Sequence, residues 1–149
     1  MAVATDEFRT VRIATELRLR APAQRVFEAL TTRTDWFPAT YGEERVRAIV
    51  LEPRVGGAYY EDWGDGRGHQ YGHVTEYDPP VGLAYRGQLH QGCTLDTEYV
   101  LEEDGDATVL KVSKVAVGPM TDEQARGIHK YGDIANFEDA LRKAVEAAA

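Results

Sequence analysis

The sequence predicts an α+β domain in which a curved, seven-stranded antiparallel sheet wraps one long C-terminal helix, with two short helices after the first strand. Three observations predict it. From Val11 to Leu19, Val11, Ile13, Thr15, Leu17 and Leu19 alternate with Arg12, Glu16 and Arg18, the period of two of a sheet with one buried and one wet face. Six more strand-like runs follow, separated by short turn signals, and short connections join antiparallel neighbours. Near the C-terminus, Ile128, Tyr131, Ile134, Phe137, Leu141 and Val145 recur at steps of three and four, the spacing of one helix face.

The elements follow in order. After the first strand, Ala21-Pro22 breaks the alternation. Proline suits a first helical turn, and Ala23, Val26, Phe27 and Leu30 then keep helical spacing as far as Thr31-Thr32. Between Arg33 and Glu44, Trp36, Phe37, Pro38 and Tyr41 stand among polar residues, which reads as a second short helix or an aromatic-bearing loop. Strands are expected at Val46–Leu51, Ala58–Trp63, His69–Tyr77, Leu83–His90, Leu95–Glu102 and Thr108–Val117. The breaks are Pro53 to Gly57, Gly64 to Gly66, Asp78 to Pro80, Gln91-Gly92 and Glu103 to Asp106. Thr121-Asp122-Glu123 opens the last helix with a capping residue and an acidic first turn. Residues 1–9 read as a flexible lead-in.

Composition bounds the function. The chain has 149 residues, 43% hydrophobic and 28% charged, which fits one folded domain spanning 1–149. Its net charge of −8 disfavours nucleic acid and anionic membranes, both of which call for clustered cations. Cys93 is the only cysteine, which excludes an internal disulfide and a thiolate cluster. With neither a signal-like N-terminus nor an apolar run of ~20 residues, the expected location is the cytoplasm.

Several local motifs resemble one family. Ala21 to Thr31 is similar to its strand-to-helix opening, and Glu52-Pro53-Arg54-Val55-Gly56-Gly57-Ala58-Tyr59 to its hairpin between the second and third strands. Gly72-His73-Val74-Thr75-Glu76-Tyr77-Asp78-Pro79-Pro80, followed by Leu83 and Tyr85, is a third segment similar to that family. With Thr108-Val109-Leu110 and the terminal helix, these look like the SRPBCC (START-like, helix-grip) superfamily, and most like the activator of heat-shock protein 90 ATPase homologue-like domains. The resemblance implies a helix-grip fold with a ligand cavity between sheet and helix. It departs at Trp36-Phe37-Pro38, where relatives often carry paired tryptophans, and at Gly132-Asp133, where many have Gly-Trp.

Strand parity selects the cavity wall. Tyr59, Glu61 and Trp63 share a face; so do Leu83, Tyr85, Gly87 and Leu89, and Leu95, Thr97, Tyr99 and Leu101. With Trp36, Phe37, Tyr131 and Phe137, the aromatics suit a flat, partly polar organic ligand. The expected ligand-binding residues are therefore Trp36, Phe37, Tyr59, Glu61, Trp63, Tyr85, Tyr99, His129, Tyr131 and Phe137. Glu61 is the candidate acid–base group: desolvation would raise its pKa, or it would pair with His129 or Tyr131. His69, Tyr71 and His73 fall on the opposite parity to Val74 and read as outer-face residues. His69 and His73 also stand ~13 Å apart along a strand, too far to share an ion, so no metal is expected. No cofactor is expected either. Ser113 lies in a strand without a nucleophile elbow, and the glycines of Gly64 to Gly68 precede no helix.

Three functions compete. The first is binding of a small hydrophobic or aromatic molecule. The second is a cyclase/aromatase- or hydrolase-like enzyme using Glu61 with His129 or a tyrosine. The third is a co-chaperone-type ATPase activator acting through its surface, against which the absence of a further domain counts. The first is the leading expectation. A sheet edge, or outer-face Tyr60 and Tyr71, could support a homodimer.

Overall fold

The structure, a computed structural model, describes residues 1–38, 40–128 and 134–146. Seven strands form one sheet: β1 (Glu7–Leu19), β2 (Ala48–Leu51), β3 (Ala58–Gly64), β4 (Arg67–Asp78), β5 (Gly82–His90), β6 (Cys93–Asp104) and β7 (Ala107–Met120). Their spatial order is β1-β7-β6-β5-β4-β3-β2, and every neighbouring pair is antiparallel. The helices are α1 (Ala23–Thr31), α2 (Asp122–Gly127) and α3 (Ile134–Glu146). This is the expected α+β helix-grip architecture.

Alternation builds the sheet's inner face. β1 turns Leu17 and Leu19 inward, β7 Leu110, Val112, Ala116 and Met120, and β6 Thr97, Tyr99 and Leu101. α1 closes one end with Ala23, Val26, Phe27 and Leu30, and α3 lays Phe137, Leu141 and Val145 on the same core. Each fully buried Leu or Val contributes roughly 1.5–3 kcal/mol of hydrophobic stabilisation. A second, smaller cluster joins Cys93, Ala116, Met120 and Ile128, with half-buried Val11, Ile13, Leu89 and Leu95 against it. No helix of the described residues is long and apolar enough to cross a membrane.

Four expectations need adjusting. β1 starts at Glu7, paired with Met120, so strand pairing reaches into the segment taken as a flexible lead-in. The second short helix is one 3-10 turn, Glu43–Arg45. The terminal helix is described as α2 and α3, capped where expected: Thr121 accepts from Gln124 N, and the Gln124 side chain accepts from Thr121 N.

The fourth concerns Tyr71. It is not an outer-face residue, because β4 carries an extra residue there. Tyr59 pairs with Gly72 but Tyr60 pairs with Gln70, leaving Tyr71 as a bulge that turns its ring inward. Gly72 allows this close approach, since a Cβ there would strike the Arg86 carbonyl oxygen on β5. Tyr71 is thereby removed from any outer dimer surface, while Tyr60 stays half-buried.

Candidate functional site: a buried arginine among aromatic rings

Two polar clusters occupy the inner face, one around an anion and one around a cation. Glu61, on β3, is fully buried. Its carboxylate accepts from Tyr41 N at 2.8 Å, Gly42 N at 2.6 Å, Trp63 Nε1 at 2.8 Å and the Tyr71 hydroxyl. Burial pushes the Glu61 pKa up, but the Tyr71, Tyr41, Trp63 and Gly42 donors outweigh it, and the net shift is downward. The sequence placed Glu61 inside correctly, but the raised pKa expected there is not found. The partners expected for it, His129 and Tyr131, lie outside the described residues. The arrangement pins the 40–45 segment to the sheet, where Tyr41 stacks on His69 at 3.9 Å and Arg45 lies 4.1 Å over the Trp63 ring.

The second cluster is centred on a residue the sequence reading passed over. Arg33 is 1% exposed. Its Nε donates to Leu30 O at 2.7 Å, Nη1 to the Tyr59 hydroxyl at 2.8 Å and Nη2 to the Tyr99 hydroxyl at 3.3 Å. The rings of Trp36, Phe37, Tyr59, Tyr85, Tyr99 and Phe137 all lie 5.0–5.9 Å from its guanidinium carbon. Taking a charge out of water costs several kcal/mol. Cation–π contacts of ~0.5–2 kcal/mol each and the negative end of α1 offset part of that cost. Among the described residues Arg33 has no ion-pair partner.

Local sequence explains the placement. Val26, Leu30, Arg33 and Phe37 follow at steps of four, three and four, so Arg33 continues the apolar face of α1 past its end. The Trp36 indole donates to Ala29 O and Thr32 O, tying off the last carbonyls of α1 and fixing the Arg33 turn. That helical spacing was the available signal.

Of the residues expected to line a ligand site, Trp36, Phe37, Tyr59, Tyr85, Tyr99 and Phe137 converge on Arg33. Glu61 and Trp63 belong to the neighbouring cluster, joined to the first by Tyr59 against Tyr71 at 4.7 Å between ring centres. The Tyr85 hydroxyl lies 3.2 Å from that of Tyr99. Burial raises the Tyr85 phenol, but Lys114 and Arg33 together bring it down to about 8. Burial raises the Tyr59 and Tyr99 phenols, and for both the rise prevails over the lowering pull of Arg33. His69 and His73 diverge: the bulge sets His69 opposite inward Glu61, not on the outer face expected, where it stacks under Tyr41, while His73 is exposed beside Gln70.

Comparison with known proteins matches the sequence to a family. The family model described as Activator of Hsp90 ATPase homolog 1-like protein matches residues 20–146. No protein of curated function matches the sequence. Among solved structures, an uncharacterised Rhizobium leguminosarum protein is 24% identical with a TM-score of 0.67, covering 97% of this chain and 99% of that one. The Staphylococcus aureus protein SA2116, of unknown function, gives 0.72 at 14% identity, covering 95% and 97%. DynU16, from the dynemicin biosynthetic locus, gives 0.60 at 22% identity, covering 93% of this chain and 48% of that one. At these identities the structural likeness shows a shared fold.

Proposed function

The chain belongs to the Activator of Hsp90 ATPase homolog 1-like family, of SRPBCC type, and from that premise we propose that it binds a small hydrophobic or aromatic molecule between the sheet and the C-terminal helix. The observation that carries this reading is the convergence of Trp36, Phe37, Tyr59, Tyr85, Tyr99 and Phe137, drawn from five separate parts of the chain, onto one inner region. Such rings offer apolar area, and their phenols offer orientation. A filled core needs no buried arginine; a recognition site has a use for one. The Phe37, Trp36 and Phe137 rings meet at 5.4–6.4 Å where the 33–38 segment approaches α3, and a ligand would enter by parting them.

A thermal-shift panel tests this. Aromatic acids, neutral polycyclic aromatics and fatty acids are each titrated, with Phe137→Ala as the comparison chain. At least one class should raise the melting temperature in a saturable way, and Phe137→Ala should weaken that response. A flat response to all three classes counts against the reading.

A second reading, a cyclase-like or hydrolase-like enzyme, draws support from one observation. The Tyr85 phenol, at about 8, would exchange a proton near neutral pH, as a general acid–base group must. Glu61, with all four donors engaged, is less suited to that role than the sequence suggested. Turnover of a bound molecule by the parent chain, abolished in Tyr85→Phe with binding retained, would favour catalysis over carriage.

A further inference from the structure

One row of residues crossing the inner face of the sheet mixes core side chains with polar groups that lack partners among the described residues. Strand register aligns Val74, Tyr85, Thr97, Lys114 and Ile13 across β4, β5, β6, β7 and β1. On β7 the inward positions are Leu110, Val112, Lys114, Ala116 and Met120, so Lys114 is the one charged member of an otherwise apolar face. It is half-buried and has no ion-pair partner among the described residues. Beside it, Thr97 is 1% exposed, and its Oγ1 is buried with no hydrogen-bond partner among the described residues. An unsatisfied buried hydroxyl costs roughly 1–3 kcal/mol, and native structures hold few of them.

Arg33 adds a second cation behind Tyr85 and Tyr99. The inner-face carboxylates are engaged elsewhere: Glu61 accepts from four donors, and half-buried Glu138 accepts from the Thr15 hydroxyl on β1. Arg33 and Lys114 are thus two inner-face cations with no carboxylate partner among the described residues. Two cations, an unpartnered hydroxyl and a readily ionised phenol on one apolar wall form a cradle for a single negative charge attached to a hydrophobic body.

We propose that the ligand is an organic anion, a hydrophobic or aromatic carboxylate whose oxygens lie between Lys114 and Tyr85, accept from the Thr97 hydroxyl and face the Arg33 guanidinium. This deepens the binding reading above and rests on it. The carboxylate supplies the counter-charge for both cations and the acceptor for Thr97 that the described residues do not provide, while the body of the ligand lies among the rings. A neutral molecule of the same shape leaves both cations uncompensated.

The test uses two probes of equal shape, 2-naphthoate and 2-naphthamide, titrated into the full chain by calorimetry. The parent should bind the carboxylate at least tenfold more tightly than the amide. Lys114→Met should bring the two within about twofold by weakening the carboxylate far more than the amide, and Thr97→Val should lose part of the preference at unchanged volume. Amide binding equal to carboxylate binding in the parent overturns the anion proposal while the binding reading stands. A preference that survives in both variants overturns its assignment to this row. Binding of neither probe overturns the proposal, and the flat thermal panel described above is what would take the wider reading with it.

Discussion

Glu61 and Arg33 are buried charges compensated in opposite ways. Glu61 has four donors aimed at its two oxygens, whereas Arg33 relies on phenols, one carbonyl and ring faces. Glu61→Gln replaces one acceptor oxygen by a donor amide facing other donors, and should cost about 2–3 kcal/mol in denaturant unfolding. Because the folded pKa of Glu61 is lowered, its carboxylate stabilises the fold above the ordinary value of ~4.3, and that contribution is lost as pH falls through the folded value. Glu61→Gln should accordingly flatten the acid limb of the stability profile. Tyr85 is shifted the same way, at the alkaline end of the scale. Its folded value of about 8 lies below the ~10 of an unfolded tyrosine, so the native chain holds fewer protons between the two, and stability rises with pH across that window. Absorbance at 295 nm should show one phenolate forming near pH 8, absent in Tyr85→Phe. A first phenolate appearing only near pH 10 in the parent would contradict the two-cation environment.

At the scale of elements, α2 is six residues long and held by the Thr121–Gln124 capping box. Thr121→Ala should cost about 1 kcal/mol of stability, read as a lower denaturant midpoint. The strands, α1 and this cap were legible because each is written locally, as alternation in β1, as Ala23, Val26, Phe27 and Leu30 in α1, and as Thr-Asp-Glu before α2. The Tyr71 bulge was not legible. A single inserted residue in β4 reverses the side of the sheet faced by everything preceding it, and Gly72 signals a close approach without stating which neighbour turns inward. The donors to Glu61 were hidden for the same reason, since Tyr41 N and Gly42 N arrive from a loop whose path no periodicity encodes.

For the molecule as a whole, sequence parity assembled the right wall, with Tyr59, Tyr85, Tyr99 and Thr97 inward as expected. It missed the arginine at the centre because a charged residue is ordinarily assigned to solvent, although its spacing from Leu30 and Phe37 pointed inward. The consequence is an aromatic interior with a buried cation at its centre, inside a protein of net charge −8. The most direct measurement is native mass spectrometry of the chain purified from its own cells, before and after unfolding. A small molecule should be found bound, be released on unfolding and carry an acidic group on an apolar skeleton. A chain that carries no such mass, even when saturated with 2-naphthoate, would contradict the proposed binding.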